Sequence, residues 1–243
     1  MNFGKNSKIK SRERMLEFLN SERIGRISTI DADGFSFITP MNFVYFQDAI
    51  YVHGFPRGEK YDNIKRNPKC GFEVDRELAF LPSYFFEPPT DASLADTLYV
   101  SVVIKGMAEF VLNLEEKASV LNALMEKIQT EGGYQRLSPD MASVRGVGLL
   151  KIIPHSMTGK YKLGKYWSAD EKLRIATRLV QRSVTIPRHT LQLLHIPGVE
   201  NLDDDSAKNL AWQHAIGLVK MMGYRNNSEY PEVSLSISED VDW

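Results

Sequence analysis

Between Ile24 and Ile30 the chain is rich in β-branched residues, and from Phe35 to Tyr45 it runs on as a long extended stretch, so two strands are predicted with Asp33-Gly34 as the tight turn between them. A second turn at Gln47-Asp48 leads into an alternating strand, Ile50 to His53. Gly54, Pro56 and Gly58 then break the pattern, and Glu59 to Arg66 resume it at helical spacing. Ahead of these strands, Met15, Leu16, Phe18 and Leu19 predict a helix over Ser11 to Asn20. Downstream, Cys70 to Asp75 reads as a strand and Leu98 to Leu112 as the longest strand, with Gly106 as its bend. A helix from Leu114 to about Gln129 and a last long strand, Gly148 to Pro154, follow. Tyr161 to Tyr166 either extends that strand or leads out of it. Strands at hairpin spacing first, with helices between the later ones, predict an antiparallel barrel, closed or partly closed, rather than a doubly wound parallel sheet.

Two stretches do not fit a regular pattern. Pro40 cannot donate to a ladder, so a bulge or an edge is expected there, which frees backbone groups at Met41 and Asn42. The segment Phe80 to Asp91 sets aromatic and leucine side chains beside three prolines and is expected to be irregular. A loop this apolar should pack onto the barrel, onto a partner subunit or over a ligand.

From about Trp167 the chain reads as a helical appendage. Ser168 to Glu171 forms a capping box before one amphipathic helix, and Asp203 to Ser206 opens a second that runs through Met222 and closes at Gly223. Pro187, Pro197 and Gly198 are read as the linker between the two helices. Trp212 and His214 are read as a core aromatic and a satisfied histidine, and Asn226 to Trp243 as a polar, acidic tail.

Composition sets limits on function. With 243 residues, 43% of them hydrophobic, the chain can bury a large core. Thirty basic residues against thirty-one acidic ones, without a conspicuously basic face, argue against nucleic acid as a partner. The single cysteine, Cys70, excludes an intrachain disulfide framework, fits a reducing cytoplasm and is expected to act as a small buried hydrophobe. Met1 to Lys10 is neither a signal nor an anchor, and nowhere do eighteen apolar residues run together, so no membrane is expected. His155, His189, His195 and His214 match no metal-ligand spacing, and no nucleophile elbow is present, so neither a metal nor an amino-acid nucleophile is expected.

One turn does carry candidate chemistry. Arg57 and Lys60 flank the start of the helix predicted over 59–66, where unpaired N–H groups and the positive dipole end favour an anion. A phosphate seat and a plain solvated corner are both open on this pattern. It is not a P-loop, since Gly54 and Gly58 stand too close and Lys60 is followed by Tyr61.

The segments GRISTIDADGFSFITPMNFVY, AIYVHGFPRGEKYDNIKRNPKCGFEVD and SVVIKGMAEFV resemble, in order and spacing, the opening strands of the pyridoxamine 5'-phosphate oxidase-like flavin-binding split barrels, and most of all the nitroimidazole-resistance (Nim) type. The likeness covers about residues 10 to 165 and implies a mainly β fold, an antiparallel six-stranded split β-barrel with peripheral helices. It divides the chain into a barrel domain, 1–165, and a helical C-terminal extension, 166–243, packed on the barrel or on a partner subunit.

By that resemblance the cofactor is flavin mononucleotide (FMN), held between the subunits of a homodimer. Lys60 matches the lysine on the flavin phosphate; Arg26, Ile27, Ser28 and Thr29 border the flavin; Pro40, Met41, Asn42 and Phe43 lay backbone along its ring edge. Tyr51, Val52, His53 and Gly54 form the strand beside the ribityl chain. The oxidases have Ser-Arg-Lys where this chain has Gly58-Glu59-Lys60, so Arg57 either replaces the missing arginine or does not touch phosphate. His53 is the one candidate catalytic residue, expected to point inward at the barrel mouth, either filling it or passing a proton to substrate. The activity implied is reduction of a small acceptor, a nitro compound or quinone, with electrons from a nicotinamide nucleotide. Two alternatives stand beside it: a non-enzymatic flavin, deazaflavin or haem store, and pyridoxamine-phosphate oxidation, for which the Arg-x-His segment near the C-terminus is missing.

Overall fold

The computed structural model describes residues 8–164, 167–226 and 235–237. After the short β1 (Lys8–Ile9) and helix α1 (Arg12–Ser21) come the strands of the barrel: β2 (Ile24–Ile30), β3 (Ser36–Phe46), β4 (Ala49–Gly54), β5 (Lys69–Leu81), β6 (Asp96–Phe110) and β7 (Gly148–Lys162). Helix α2 (Glu59–Arg66) lies between β4 and β5 in sequence, and α3 (Leu114–Ile128) and α4 (Ala142–Gly146) lie between β6 and β7. The sheet order is β1-β7-β4-β3-β2-β5-β6, and β6 pairs back onto β7, so β2 to β7 close a ring of six. The pairs β2–β3, β2–β5, β3–β4 and β4–β7 are antiparallel. The six-stranded barrel expected from the sequence is therefore present.

Local chemistry explains the hairpins. The Asp31 carboxylate accepts from the backbone N–H of Asp33 and of Phe35, at 2.9 and 2.8 Å, and Gly34 takes φ 89°, which lets β2 turn into β3 within a few residues. Gln47 and Asp48 both hold positive φ, 47° and 61°, the conformation a two-residue turn needs to match strand twist. Arg12 fastens that turn by donating to Tyr45 Oη and Asp48 Oδ1 at 2.8 and 2.9 Å.

Alternation sorts the barrel residues. Gly25, Ile27 and Thr29 on β2 are buried while Ile24 and Arg26 are exposed. Phe43 and Phe72 meet edge to face inside the ring, with centroids 5.1 Å apart. Val120 and Leu124 of α3 cover Val44, Ala49, Tyr51 and Leu149 on another face of the sheet. Cys70 is buried, as expected, and burial pushes its thiol up to about 11. At Gly106 the burial alternation of β6 runs on without a break, and a Cβ there would lie 2.6 Å from the carbonyl oxygen of Ile153. The expected bend is thus a close approach of backbone instead. Pro40 lies in the part of β3 that pairs only with β2, in unbroken register opposite Arg26, so of the two expectations it meets the edge and not the bulge.

Two compact units are present, one built from Ile9–Asp75 and Ser101–Gly159, the other gathering Arg76–Val100 with the stretch from Lys160 on. The second unit contains α5 (Ala169–Thr185), α6 (Pro187–Leu193) and α7 (Asp204–Met221), then the small hairpin of β8 (Tyr224–Asn226) and β9 (Leu235–Ile237). Its core joins Ala79, Leu81, Phe85, Phe86 and Leu98 to Trp167, Ile175, Leu179, Leu218 and Val219. The aromatic, proline-rich segment therefore packs against the C-terminal helices through Leu81, Phe85 and Phe86. Its first residues, Phe80 and Leu81, are regular strand, because β5 continues well past Asp75. The capping box of α5 forms as expected, with Glu171 accepting from the Ser168 N–H. The expected linker contains α6, which Pro187 opens at its first position. Trp212 packs half-buried on the core, but His214 faces solvent. Tyr161 and Lys162 do extend the last barrel strand, while Lys165, Tyr166 and most of the acidic tail lie outside the described residues.

Candidate functional site

Around the end of β4, three of the expected residues, Met41, Gly54 and Lys60, come together. Gly54 pairs with Gly148 and would continue the β3–β4 register opposite Met41; a Cβ on it would meet Met41 Cε at 3.4 Å and Lys60 Nζ at 3.8 Å. The Lys60 ammonium is half-buried and donates to the thioether sulfur of Met41 at 2.9 Å. A thioether is a weak acceptor, and among the described residues no carboxylate pairs with Lys60. Burial alone pushes the ammonium below its usual value, which leaves a desolvated cation short of a counterion.

The turn before α2 is shaped by Gly58, at φ 104° and ψ 176°, a conformation that side-chain-bearing residues avoid. It is the N-cap and offers no side chain to the free N–H groups of the first turn. Arg57 stands exposed beside them, its guanidinium 5.9 Å from the Phe55 ring centre, and no acid pairs with it among the described residues. Two cations and open N–H groups thus meet at one corner, tempered by Glu59 and Asp62 in the same first turn. The helix itself is held from below. Asn63 donates to Thr29 Oγ1 at 3.1 Å, Arg66 donates to the carbonyl of Ile30 at 2.7 Å, and Tyr61 stacks on Phe110.

His53 departs from the expectation. It lies on the same side of β4 as Tyr51, the side α3 covers, whereas Val52, paired with Phe43, is the residue that points into the barrel. Its Nδ1 is buried without a hydrogen-bond partner. Burial first, and then the charge of Lys60, push the imidazole below its usual pKa, so it is neutral near pH 7.

The other expected residues separate into two groups. Ile27, Thr29, Phe43 and Val52 are buried in the barrel wall and interior, so their side chains serve the core. Arg26, Ser28, Pro40 and Asn42 face outward. Arg26 is ion-paired with Glu73, at 3.2 Å, and with Asp75, so its charge is already answered. Asn42 donates to the carbonyl of Arg23 at 3.2 Å. The pairing of β3 with β4 runs from Phe43 toward the turn, while Met41 and Asn42 pair with Gly25 and Ile24 of β2. On the outer face Ile38, Ser28 and Gly71 form one cross-strand row, in which a Cβ on Gly71 would meet Ser28 Cβ at 3.6 Å. Gly71 was missed by the sequence reading; a glycine inside a strand is the signal that could have found it. The Met41 side chain was missed as well, because only its backbone was considered.

An antiparallel ring of six strands, with a cationic turn between its third member and the helix that follows, defines a split barrel. The family model described as pyridoxamine 5'-phosphate oxidase matches residues 11–161, and the chain belongs to that family. No curated protein matches it. Among solved structures, a candidate 5-nitroimidazole antibiotic resistance protein of Bacteroides thetaiotaomicron is similar, with 24% identity and a TM-score of 0.52 over 63% of this chain and 86% of that one. A flavocytochrome of Azotobacter vinelandii (17% identity, TM-score 0.56, 68% and 74% covered) and an FAD- and haem-binding protein of Mycobacterium smegmatis (17%, 0.55, 68% and 78%) share the fold. Within the described residues no helix is long and apolar enough to cross a membrane, and no group of three or more His, Cys, Asp or Glu is placed to hold a metal.

Proposed function

We propose that this chain binds FMN and uses it to reduce a small acceptor, a nitro compound or quinone, with electrons from a nicotinamide nucleotide. The observation that carries the reading is Lys60: a half-buried ammonium in the first turn of a helix without a side-chain cap, near the Tyr61 ring but with only a thioether as hydrogen-bond acceptor among the described residues, in a chain of this family. Lys60, Arg57 and the first-turn N–H groups would hold the phosphate, and the backbone of Met41 and Asn42 would meet the ring edge. Bound flavin supplies the hydride and electron chemistry, which is why no nucleophile or metal site is required of the protein. Neutral His53 would hold a proton or a hydrogen bond for the acceptor.

We further infer a homodimer, supported by the apolar outer positions Ile24 and Ile38, exposed by 54% and 60%. A single-chain mass by light scattering would remove it. In a cytoplasmic setting the nicotinamide donor is at hand. The absorption spectrum of the purified protein tests the central reading: flavin bands are expected, and a Soret band would favour the haem-storage alternative. Bleaching of the flavin by a nicotinamide nucleotide is the expected mark of an enzyme as against a store. Lys60→Ala should weaken FMN binding by about 1.5–3 kcal/mol, the worth of a hydrogen bond to a charged group. Unchanged affinity would take Lys60 out of the phosphate site.

A further inference from the structure

A second cationic cleft lies in the C-terminal unit, far along the chain from Lys60. Arg178 and Arg182 stand one turn apart on α5 and face the 3-10 turn at Ser83–Phe85. Arg178 is engaged: it donates to the carbonyl of Tyr84 and to Glu87 Oε1, the latter at 3.1 Å. Arg182 is not. Its guanidinium lies 5.1 Å from the centre of the Tyr84 ring, its Nε is buried without a hydrogen-bond partner, and no carboxylate pairs with it among the described residues. Between the helix and the turn is a cavity of about 300 Å³, lined by Tyr84, Arg178, Gln181, Arg182, Thr185 and Ile186.

We propose that this cleft binds a small organic oxyanion, a phosphate or carboxylate ester-sized molecule whose charged end is taken by Arg182 with help from Arg178. Two guanidinium groups against the single carboxylate of Glu87 leave one positive charge unanswered. A guanidinium N–H that is cut off from water costs free energy until an acceptor reaches the group, and a planar fork is suited to two-oxygen ligands. Stacking on Tyr84 answers part of the charge but none of the N–H groups, since a ring face offers no lone pair. The cavity is several times larger than a bare phosphate, and Ile186, 46% exposed, gives it an apolar wall, so the ligand carries a hydrocarbon part. Gln181 and Thr185, on the same helix, supply neutral polar groups beside the guanidinium.

Calorimetric titration of the full-length chain at low ionic strength tests this, with phenyl phosphate, benzoate and inorganic phosphate as probes. Saturable binding of phenyl phosphate or benzoate is expected, tighter than that of inorganic phosphate. Of the two organic probes, the tighter one identifies the charged end. Arg182→Gln should weaken that binding about ten- to a hundredfold. Thr185→Trp, at an exposed position, should block it by filling the cleft while both arginines stay in place. Absence of saturable heat from every probe overturns the proposal. So does binding that neither variant alters, since it then arises elsewhere on the chain, including at the α2 corner. Should Arg182→Gln fail to fold, the Thr185→Trp chain decides alone: undiminished binding of the organic probe overturns the proposal.

Discussion

Two half-buried lysines of the barrel unit show how the same residue type serves different ends. Lys60 has a poor partner and is offered to a ligand. Lys127, at the end of α3, donates to the carbonyls of Leu19 and Phe43 at 2.9 and 3.1 Å and stands 3.7 Å from the centre of the Phe43 ring, so it fastens α1 and β3 to α3. Burial pushes it down to about 8 against an unfolded value of about 10.4. Between those two values the unfolded chain holds the extra proton, so the native state gains stability as pH rises through that window. Lys127→Met should cost about 1–3 kcal/mol at neutral pH, because two carbonyls lose their donor, and should flatten the rise above about pH 8. Urea unfolding at neutral and alkaline pH, variant against parent, checks both; an unchanged slope would mean that another group titrates there. None of this was legible in the sequence, where Lys127 is one more charge in the last turn of a helix. Lys60 stood out because it falls at a helix start marked by glycine and proline and matches the lysine that the family resemblance sets on the flavin phosphate.

At the scale of elements, short-range chemistry was readable wherever it is self-contained. The hairpins at Asp33-Gly34 and Gln47-Asp48, helix α2 and the capping box at Ser168 depend on neighbours within a few residues, and each was anticipated from them. Failures came where partners are distant. Phe80 and Leu81 looked irregular beside Pro82, yet both belong to β5, where Leu81 is buried with α5 and α7 residues while Phe80 is exposed. Pro187 looked like linker because a proline that opens a helix and one that ends it are the same letter. His53 was assigned to the barrel mouth although strict alternation from Val52 already puts it on the opposite side. The turn before α2 offers a test at this scale. Gly58 has no heavy atom within 4 Å of where a Cβ would stand, so Gly58→Ala meets no clash and acts only through φ 104°. It should cost about 1–3 kcal/mol of stability and also weaken FMN binding, because relief of the strain would move Arg57 and Lys60. Urea unfolding read beside flavin titration checks it. Lost stability with full affinity would show that the phosphate is held elsewhere.

Over the whole molecule, the resemblance to a barrel ending near residue 165 suggests a natural cut that the packing argues against. Ala79, Leu81, Phe85, Phe86 and Leu98 all precede that point in sequence, yet their burial is shared with Trp167, Ile175, Leu179, Leu218 and Val219, which follow it. They lie on β5, on β6 and between them, two long strands that also supply the barrel ring. Removing 166–243 would return these side chains to water. At about 1.5–3 kcal/mol for each of the four large ones, the loss rivals the entire stability of an ordinary domain, about 5–15 kcal/mol. A fragment of residues 1–165 should therefore bind a hydrophobic dye strongly and lose the cooperative urea transition of the full chain, even with FMN in excess. A fragment that unfolds cooperatively, with a midpoint close to the parent's, would show that the barrel strands need no help from the helices, and that the cluster around Phe85 and Phe86 stabilises only the second unit.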